Sequence, residues 1–416
     1  MGFEWYTEFV DLDYEPQNEL ICTFKLEPDG ISMEDAAGRV ASESSVGTWT
    51  TLAKLPKRIK KIMARVFEID EDINLIKVSY PLELFDFSIP QLLSSVAGNV
   101  FGMRALKNLR LEDIEFPKEF VEKLKGPQFG IEGVRRVLKI KKRPLTATVP
   151  KPKVGFDANE YAEVAYNAWS GGLDFVKDDE NLTNQPFIRF EERLKKVMKV
   201  KERVEKESGE KKSYLVNITG ETNEMIERAK LVADYGNEYV MIDILTAGWA
   251  ALQTLRDSCE DLNLAIHAHR AMHAAFTRDP KHGISLKAVT KLARLAGVDN
   301  MHVGTGVGKM IGDVEEVKEL AEVCRNKWFN IKTTFPVSSG GLHPGLIPDV
   351  INLFGNDVII QAGGGVHGHP NGTYAGAKAL RQAIDASVEG IPLDEYAEKH
   401  EELRLAIEKW GFVKPK

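Results

Sequence analysis

The chain has 416 residues, 43% of them hydrophobic and 28% charged, which is ordinary for a globular protein with room for two domains. Its 62 acidic against 55 basic residues give a formal net charge of −7, which disfavours nucleic acid or an anionic membrane as a partner. Three scattered cysteines, an acidic start without a signal-peptide core and the lack of a long apolar run predict a cytoplasmic protein without a disulfide framework.

The first predicted domain, residues 1–125, mixes strand-like and helix-like segments. LICTFKLEP and INLIKVSYP have the composition of strands, whereas SMEDAAGRVASES and SIPQLLSSVAGNVFG have helical patterns. This mixture predicts an α+β domain of the ferredoxin-like type.

The second predicted domain, residues 126–416, repeats a strand–helix unit eight times. The β-rich runs are 145–152, 173–180, 213–220, 238–248, 264–270, 300–306, 331–341 and 357–365. Amphipathic helical patterns lie at 187–206, 221–235, 283–296, 313–326 and 373–388, the first with Phe187 on its apolar face. Eight successive units with buried, mostly unalternating strands predict an α/β fold, a closed parallel (β/α)8 TIM barrel. The tail after Gly390 predicts short helices.

Ionisable and glycine-rich residues gather where these predicted strands end. In such a barrel the active site is built at the carboxyl ends of the strands, so we expect these residues to meet there. In chain order they are Lys151 and Lys153; Lys177, Asp179 and Glu180; His267, His269 and Arg270; His302 and Lys309; residues 338–341; and Gln361 with residues 363–365. Their consistent placement favours an active site over a set of structural polar residues.

Two of these groups admit other interpretations. The glycines at 363–365 and Gly368 fit the spacing G-x-G-x-x-G, but no nucleotide-binding βαβ unit follows them. Phosphate binding by bare backbone N–H groups is therefore favoured over a Rossmann site. His267 and His269, with His273, form a candidate zinc cluster. The charge of Arg270 and the lack of an adjacent carboxylate or cysteine favour a general base and a phosphate contact instead.

The segment LDFVKDDE ends a strand with a lysine beside three acids. A solvated turn is one interpretation. Lys177 and Asp179 share a strand face, and Glu180 joins them if the pleat breaks there. Two carboxylates alone make a poor site for a hard cation. A carbamate formed from CO₂ and the neutral Lys177 amine adds a third oxygen ligand, so the cluster predicts one Mg²⁺ balanced by the neighbouring cations.

The segment GGLDFVKDDENLTNQPF resembles the carbamylated-lysine motif of the large chain of RuBisCO, ribulose-1,5-bisphosphate carboxylase/oxygenase. The family's other site segments are similar, in order, to PKPKVG, HAHRAMHAAFTR, HVGTGVGKMIGD, FPVSSGGLHPG and QAGGGVHGHP, and near the N-terminus to ESSVGTWTT and AGNVFG. The resemblance covers nearly the whole chain. It is strongest to archaeal type III enzymes, which lack a small subunit and serve AMP and nucleoside breakdown.

The resemblance implies an enzyme that adds CO₂ and water to ribulose 1,5-bisphosphate, giving two 3-phosphoglycerates, with a competing reaction of O₂. Lys177, as the carbamate, would hold Mg²⁺ with Asp179 and Glu180. Lys151 would donate and accept protons, tuned by Lys153. The other implied roles are a second acid–base group at His269, C5-phosphate binding by Arg270 and His302, carboxylate binding by Lys309, and sugar and C1-phosphate binding by Ser339, Gly340, Gly341, Gln361, Ala362, Gly363 and Gly364.

The resemblance also implies a homodimer, or an assembly of dimers, with each site completed by the neighbouring chain. Thr48 and Trp49 would lie near the C1 phosphate, Glu43 would pair with the sixth-loop lysine, and Asn99 would lie near the metal. The alternative makes Trp49 a core aromatic residue and Glu43 a solvated helix end. One departure from the family is Val303, where a small hydroxyl residue is common, which bears on the discrimination between CO₂ and O₂.

Two rival functions stay open at this stage. A RuBisCO-like enolase or isomerase of sulfur metabolism stops after proton abstraction, but such proteins replace several of the groups that this chain retains. An amidohydrolase-type metal hydrolase also uses a carbamylated lysine. Its H-x-H pair, however, lies on the first strand, where this chain has lysines.

Overall fold

The computed structural model describes residues 4–50, 56–307 and 313–412. Two compact units make up the chain. The first contains Met1–Lys125, Met272–Ala296 and Trp328–Ile331, and the second contains Gly126–Ala271, Gly297–Lys327 and Lys332–Lys416. Segments 272–296 and 328–331, which the sequence placed in the second domain, thus cluster with the first unit. The division of the chain at residue 125 stays a prediction.

A five-stranded sheet forms the centre of the first unit. Its long strands are β1 (Leu20–Pro28), β2 (Arg65–Asp70), β3 (Leu75–Tyr80) and β4 (Leu106–Glu115), and the short strand Gly283–Ile284 pairs with β4. β1 runs antiparallel to both β3 and β4, and β2 runs antiparallel to β3. Burial alternates along β1, as expected for a sheet with one face towards a core.

Helices alternate with these strands in the order typical of a ferredoxin-like unit. Met33–Glu43 follows β1 and Ile89–Val96 follows β3. The remaining helices of the unit are Glu4–Thr7, Lys118–Glu122, Ala274–Thr277 and Leu286–Ala296, with 3₁₀ turns at Ile59–Lys61, Leu82–Leu84 and Asn99–Gly102. The predicted α+β domain is confirmed.

Eight parallel strands close into a barrel in the second unit. They are β5 (Leu145–Thr148), β6 (Phe175–Lys177), β7 (Ser213–Asn217), β8 (Tyr239–Asp243), β9 (Ala265–His269), β10 (Asn300–His302), β11 (Phe335–Ser339) and β12 (Ile359–Gln361). β12 pairs with β5 and β9 with β10, which closes the ring. Nearly every residue of these strands is buried, because a parallel barrel is covered on both faces. The predicted barrel is confirmed.

The helices of the second unit range in length from 4 residues, at Ile244–Ala247, to 19 residues, at Phe190–Ser208. They are Gly130–Leu138, Ala158–Ser170, Phe190–Ser208, Thr222–Asp234, Ile244–Ala247, Trp249–Leu262, Val314–Arg325, Ile347–Phe354, Gly364–His367, Gly372–Glu389, Leu393–Ala397 and Glu401–Trp410, with a 3₁₀ turn at Pro344–Leu346. Phe187, the first residue of the predicted helix 187–206, lies before the observed helix and is 46% exposed, so its assignment to the apolar face was wrong. The helix begins at Phe190, whose backbone N–H donates to Asn184 Oδ1 at 3.0 Å.

An apolar core fills the barrel below its mouth. Phe175, Tyr239 and Phe335 are fully buried within it. The helix Gly130–Leu138 packs against the same cluster through Ile131 and Val134. A filled interior leaves the strand ends as the place for chemistry. No helix within the described ranges is long and apolar enough to cross a membrane.

Candidate active site

The second barrel strand ends at a lysine that is withdrawn from solvent. Lys177 is the last residue of β6 and its side chain is fully buried. Its Nζ donates to the backbone carbonyl of Asp178 at 2.8 Å. Burial lowers the pKa of Lys177, against surrounding carboxylates that raise it. The neutral amine, which is the nucleophilic form, is therefore more populated than on an exposed lysine.

Asp178 is fully buried and turned towards the helix that follows β6. Its Oδ1 accepts hydrogen bonds from the hydroxyls of Tyr161, at 2.7 Å, and Tyr214. Its Oδ2 accepts from Arg193 Nη2 at 3.0 Å and from the backbone N–H of Asn217 at 2.9 Å. These four donors fix the turn on which the neighbouring carboxylates stand.

Asp179 and Glu180 contact residues from other strand ends. Asp179 Oδ2 accepts from Lys151 Nζ at 2.8 Å, and Glu180 Oε1 accepts from Lys153 Nζ at 3.4 Å. Burial alone would raise the pKa of both carboxyl groups, yet Lys151 beside Asp179 and His269 beside Glu180 help to hold each pKa below its usual value. Both groups are therefore ionised oxygen donors, as the ligands of a hard cation must be.

His269, the last residue of β9, stands between two carboxylates. Its Nδ1 lies 3.0 Å from Asp243 Oδ1, and its Nε2 lies 3.7 Å from Glu180 Oε2. Burial lowers the pKa of His269, and the charge of Lys177 lowers it further. Asp243 and Glu180 act in the opposite direction and raise it. The backbone N–H of Ala271 also lies 3.2 Å from the Nδ1 of His269. In the tautomer that carries its hydrogen on Nδ1 and donates it to Asp243, Nε2 is a base that faces Glu180 and the carboxylate cluster.

His267 and His302 face each other beneath the mouth. Their Nε2 atoms are 2.9 Å apart, and the His302 Nδ1 lies 2.7 Å from Ser339 Oγ. Asn300 Nδ2 lies 3.3 Å from His267 Nδ1. Both nitrogens of each ring are thus engaged. A phosphate contact by His302, as the resemblance implies, requires one of these bonds to be exchanged.

The ends of the seventh and eighth strands present backbone and amide groups. Ser339 and Gln361 pair across β11 and β12, and Gln361 Oε1 is buried without a hydrogen-bond partner among the described residues. Gly340 has φ of 117°, a conformation that favours glycine. A Cβ at Gly363 would lie 3.1 Å from Lys151 Cε, so this glycine leaves room for the lysine. Space and an orphaned acceptor are features of a polar ligand site.

Arg270 follows His269 directly, at the end of β9. Burial lowers the pKa of its guanidinium to about 10, although the nearby Glu316 acts in the opposite direction. The group stays charged at neutral pH. A Cβ at Gly304, after β10, would lie 3.4 Å from Arg270 Nη2. The guanidinium therefore reaches the loop after the sixth strand, where a positive charge suits an anionic ligand.

The side chains at the barrel mouth bear on the two metals considered from the sequence, zinc and Mg²⁺. Across the ranges that the structure describes, no three His, Cys, Asp or Glu side chains are grouped so as to hold a metal ion. His267 has both ring nitrogens engaged by His302 and Asn300, which disfavours the H-x-H zinc interpretation. Asp179 and Glu180 supply two ionised carboxylates, and Lys177 lies among them. These residues fit Mg²⁺ if the lysine carries a further oxygen donor.

Several predicted site residues lie in the first unit or outside the residues that the structure describes. Lys309 falls in 308–312, outside the described residues. Glu43, Thr48, Trp49 and Asn99 belong to the first unit: Thr48 is half-buried, whereas Glu43 and Asn99 are exposed and Trp49 is 83% exposed. Trp49 is therefore not a core aromatic residue.

Three polar side chains of the cluster were missed from the sequence. Asp243 is the last residue of β8, but the predicted run 238–248 placed it in the middle of a strand, so its position at a strand end was not visible. Arg193 lies one residue before Leu194 on the buried face of the helix Phe190–Ser208, where a charge needs a partner. No separate sequence feature indicated Asp178, because the alternation of side chains along a strand does not show which residues pack against its outward face.

Comparisons with known proteins agree with this geometry. The profile of the "Ribulose bisphosphate carboxylase large chain, catalytic domain" family matches residues 130–410, and that of the corresponding N-terminal domain matches residues 8–120. The ribulose bisphosphate carboxylase of Pyrococcus abyssi is 60% identical over 420 residues, covering 100% of this chain and 99% of the relative. That of Archaeoglobus fulgidus is 48% identical over 437 residues, covering 99% of each chain.

Solved structures are equally similar. An octameric ribulose-1,5-bisphosphate carboxylase/oxygenase of Pyrococcus horikoshii, in complex with sulfate, superposes with a TM-score of 0.96 at 58% identity, covering 99% of this chain and 98% of that one. A dimeric archaeal Rubisco of Hyperthermus butylicus gives a TM-score of 0.94 at 53% identity, covering 98% of this chain and 100% of that one. The barrel, the lysine-and-carboxylate cluster and these full-length matches lead to one conclusion: the chain belongs to the family of ribulose bisphosphate carboxylase large chains.

Proposed function

We propose that the chain is a ribulose-bisphosphate carboxylase that adds CO₂ and water to ribulose 1,5-bisphosphate and releases two molecules of 3-phosphoglycerate. The observation that carries the proposal is the fully buried Lys177 beside the ionised Asp179 and Glu180 at the mouth of the barrel. The full-length similarity to carboxylases of Pyrococcus supports it. A competing reaction with O₂ is part of the proposal.

The first step that we propose is activation of Lys177. Its neutral amine attacks CO₂, a C–N bond forms, and the ammonium proton that results is lost to solvent or a base. Because the ammonium form must first lose a proton to give the neutral amine, two protons leave in all, and a buried cation becomes an anion with two oxygen donors. Together with Asp179 and Glu180 it would hold Mg²⁺, while Lys151 and Lys153 offset the excess negative charge. When bound, Mg²⁺ would supply stabilisation of the negative charge that develops on the sugar oxygens during enolisation.

Proton transfers are assigned to groups of the chain. The carbamate on Lys177 removes the C3 proton of the sugar. CO₂ then adds at C2, water attacks C3, and the C2–C3 bond breaks. Lys151, which contacts Asp179 at 2.8 Å, protonates the carbanion that is left on C2. His269, neutral and oriented by Asp243, serves as a second acid–base group.

Phosphate and sugar binding is proposed for residues around the carboxylate cluster. Arg270 and His302 would hold the C5 phosphate, and Ser339 with Gly340 and Gly341 would hold the sugar. Residues Gln361 to Gly364 would bind the C1 phosphate through backbone groups, which the small side chains leave accessible. Lys309 would stabilise the new carboxylate.

We also propose that a second copy of the chain completes each site. Glu43, Trp49 and Asn99 are exposed in the single chain, and Thr48 is half-buried, as residues reserved for a partner would be. The similar solved structures are described as octameric and dimeric, which supports a homodimer or an assembly of dimers. No small subunit is expected. A role in AMP and nucleoside breakdown in the cytoplasm, which the resemblance to archaeal type III enzymes implies, is part of the proposal.

The test is fixation of ¹⁴CO₂ by the purified chain, activated with CO₂ and Mg²⁺ and supplied with ribulose 1,5-bisphosphate. We expect acid-stable radioactivity in 3-phosphoglycerate, two molecules of product for each sugar consumed. An enolase or isomerase would instead exchange or rearrange the substrate without incorporating label. Consumption of the sugar without incorporated ¹⁴C would contradict the proposal.

A further inference from the structure

A buried threonine and a histidine close the turn that follows the eighth barrel strand. Thr148 is the fully buried last residue of β5, and His367 ends the short helix after β12. The hydroxyl of Thr148 donates to the backbone carbonyl of Ala362 at 2.6 Å, and its oxygen lies 3.0 Å from Nε2 of His367. On the other side of the ring, Nδ1 of His367 lies 3.0 Å from Thr373 Oγ1. Thr148 therefore connects the two ends of residues 362–367, which we call the closed turn.

The carbonyl of Ala362 fixes the direction of these hydrogen bonds. A carbonyl oxygen only accepts, so the single hydrogen of the Thr148 hydroxyl lies between the two oxygens, which are 2.6 Å apart. The ring of His367 must then donate from Nε2 to Thr148, and the Nδ1 of a neutral ring accepts from the Thr373 hydroxyl. The opposite direction would leave two acceptor oxygens 2.6 Å apart with no hydrogen between them.

The ring of His367 is neutral near pH 7. Burial, helped by the charge of Lys151, lowers its pKa to about 4, although a hydrogen bond with the backbone carbonyl of Val149 acts in the opposite direction. A neutral imidazole has one donor and one acceptor, and the two threonine hydroxyls engage both. The closed turn is therefore held by a fully satisfied set of hydrogen bonds at neutral pH.

The closed turn lies against the proton donor of the proposed reaction. A Cβ at Gly363, which belongs to this turn, would lie 3.1 Å from Lys151 Cε. The first residue of the turn is held twice: the Ala362 N–H donates to the carbonyl of Ala147 at 3.0 Å, and the Ala362 carbonyl accepts from Thr148. Thr148 precedes Lys151 by three residues, so the group that closes the turn belongs to the same strand end as the proton donor.

We propose that His367 is a positioning residue that closes this turn through Thr148, and so holds the backbone N–H groups of Gly363 and Gly364 in place for an oxyanion of the substrate. The identity of that oxyanion, the C1 phosphate of the sugar, rests on the proposed function. The closure does not, because it follows from hydrogen bonds within the chain. His367 acts through Thr148 and uses its one N–H there, so it has none left for a phosphate.

Nitrogen NMR and amide exchange test the closure without reference to activity. In ¹⁵N-histidine-labelled, full-length protein we expect His367 to be protonated on Nε2, with its signals assigned by their loss in His367→Gln. Amide hydrogen exchange, followed by mass spectrometry, should be faster across residues 362–368 in His367→Leu than in the wild type, because leucine cannot donate to Thr148. His367→Gln, whose amide can donate, should keep most of the protection. An Nδ1–H tautomer in the wild type, or equal exchange in the wild type and His367→Leu, would overturn the proposal.

Kinetics test the consequence for the ligand. In His367→Leu the KM for ribulose 1,5-bisphosphate should rise about three- to tenfold, the usual worth of one hydrogen bond, while kcat stays within about twofold and carbamate formation is unchanged. His367→Gln should restore most of the lost affinity. Thr148→Val removes the other partner, so the double variant with His367→Leu should raise KM by less than the product of the two single effects.

Ser387→Ala is the matched control, because the Ser387 hydroxyl donates to the Ala383 carbonyl at 2.7 Å near the far end of the helix that begins beside Thr373. We expect its KM to equal that of the wild type. A KM that rises equally in the control, faster exchange in His367→Leu without a rise in KM, or fully multiplicative effects in the double variant would refute the positioning role. If the chain fixes no CO₂, the proposed function fails while the tautomer and the exchange rates still decide on the closure. Should His367→Leu fail to fold, the wild-type nitrogen spectrum and the exchange rates of Thr148→Val decide in its place.

Discussion

Asp178 offers the sharpest test of how the barrel holds its carboxylate cluster. The residue and its partner Arg193 are both fully buried, 3.0 Å apart, and the aspartate also accepts from two tyrosine hydroxyls and one backbone N–H. Burial lowers the pKa of Arg193, but Asp178 and the tyrosines outweigh it and raise that pKa, so the guanidinium stays charged. Removing the aspartate leaves this charge buried without its counter-ion.

The magnitude follows from that geometry. Loss of one partner of a buried ion pair destabilises a protein by about 3–5 kcal/mol, and we expect this for Asp178→Ala. Asp178→Asn keeps the shape and one acceptor oxygen, so we expect about 2–3 kcal/mol, the worth of a charged hydrogen bond. Removing both charges, in Asp178→Asn with Arg193→Met, should destabilise less than the sum of the single changes. Asp234→Asn, an exposed substitution at a helix end, should change stability by less than about 0.5 kcal/mol.

Two assays read out the consequences. Urea unfolding at fixed protein concentration gives the stability, because the unfolding of an oligomer depends on concentration. Retention of ¹⁴CO₂ on the protein with Mg²⁺, after removal of free label, reports whether Lys177, Asp179 and Glu180 are still held together. We expect Asp178→Asn to retain less label than the wild type. Wild-type stability and wild-type retention in this variant would show that the buried network does not hold the turn.

Three further predictions concern other contacts of the chain. Asp243→Asn should lower kcat about a hundredfold or more, because the amide NH2 group can donate to Nδ1 of His269 and so favour the opposite tautomer, while carbamate formation should persist in a CO₂-retention assay. Mixing the inactive variants Lys177→Ala and Asn99→Ala under subunit exchange should restore up to half of the native site activity per heterodimer; no recovery despite verified exchange would mean that one chain builds each site. Burial raises the pKa of Glu402, but hydrogen bonds from a neighbouring lysine and glutamine outweigh it and hold that pKa at about 2. The stability that ionised Glu402 confers should be present above about pH 4.5 and lost as the pH falls towards 2. The melting temperature of Glu402→Gln should therefore depend less on pH in this range than that of the wild type.

The fold was predictable because its signals repeat. Eight buried runs separated by amphipathic helices leave few architectures other than a closed parallel barrel. The helix predicted at 221–235 is found at Thr222–Asp234, and that at 313–326 at Val314–Arg325. The helix predicted from 187 failed at its start, because Asn184 binds the backbone of Phe190 and leaves Phe187 outside. Such side-chain caps depend on loop geometry, which periodicity does not report.

The candidate site was predictable to the level of which strand ends contribute. The ends of β6 and β9 do bring Glu180 and His269 together, at 3.7 Å. The pairing of His267 with His302, and of His269 with Asp243, depends on the register between adjacent strands. A single sequence gives the residues of each strand but not this register. The orientation of Asp178, opposite to its two neighbours, depends on the same kind of information.

Direct observation of the carbamate tests the central claim, that Lys177 becomes a ligand by reacting with CO₂. The measurement is ¹³C NMR of the full-length protein with ¹³CO₂ and Mg²⁺, compared with Lys177→Arg, whose guanidinium cannot form the adduct. We predict one carbamate resonance per chain in the wild type, its loss in the variant, and carboxylase activity that follows the resonance as CO₂ is varied. A fully active Lys177→Arg, or an active wild type without the resonance, would contradict it.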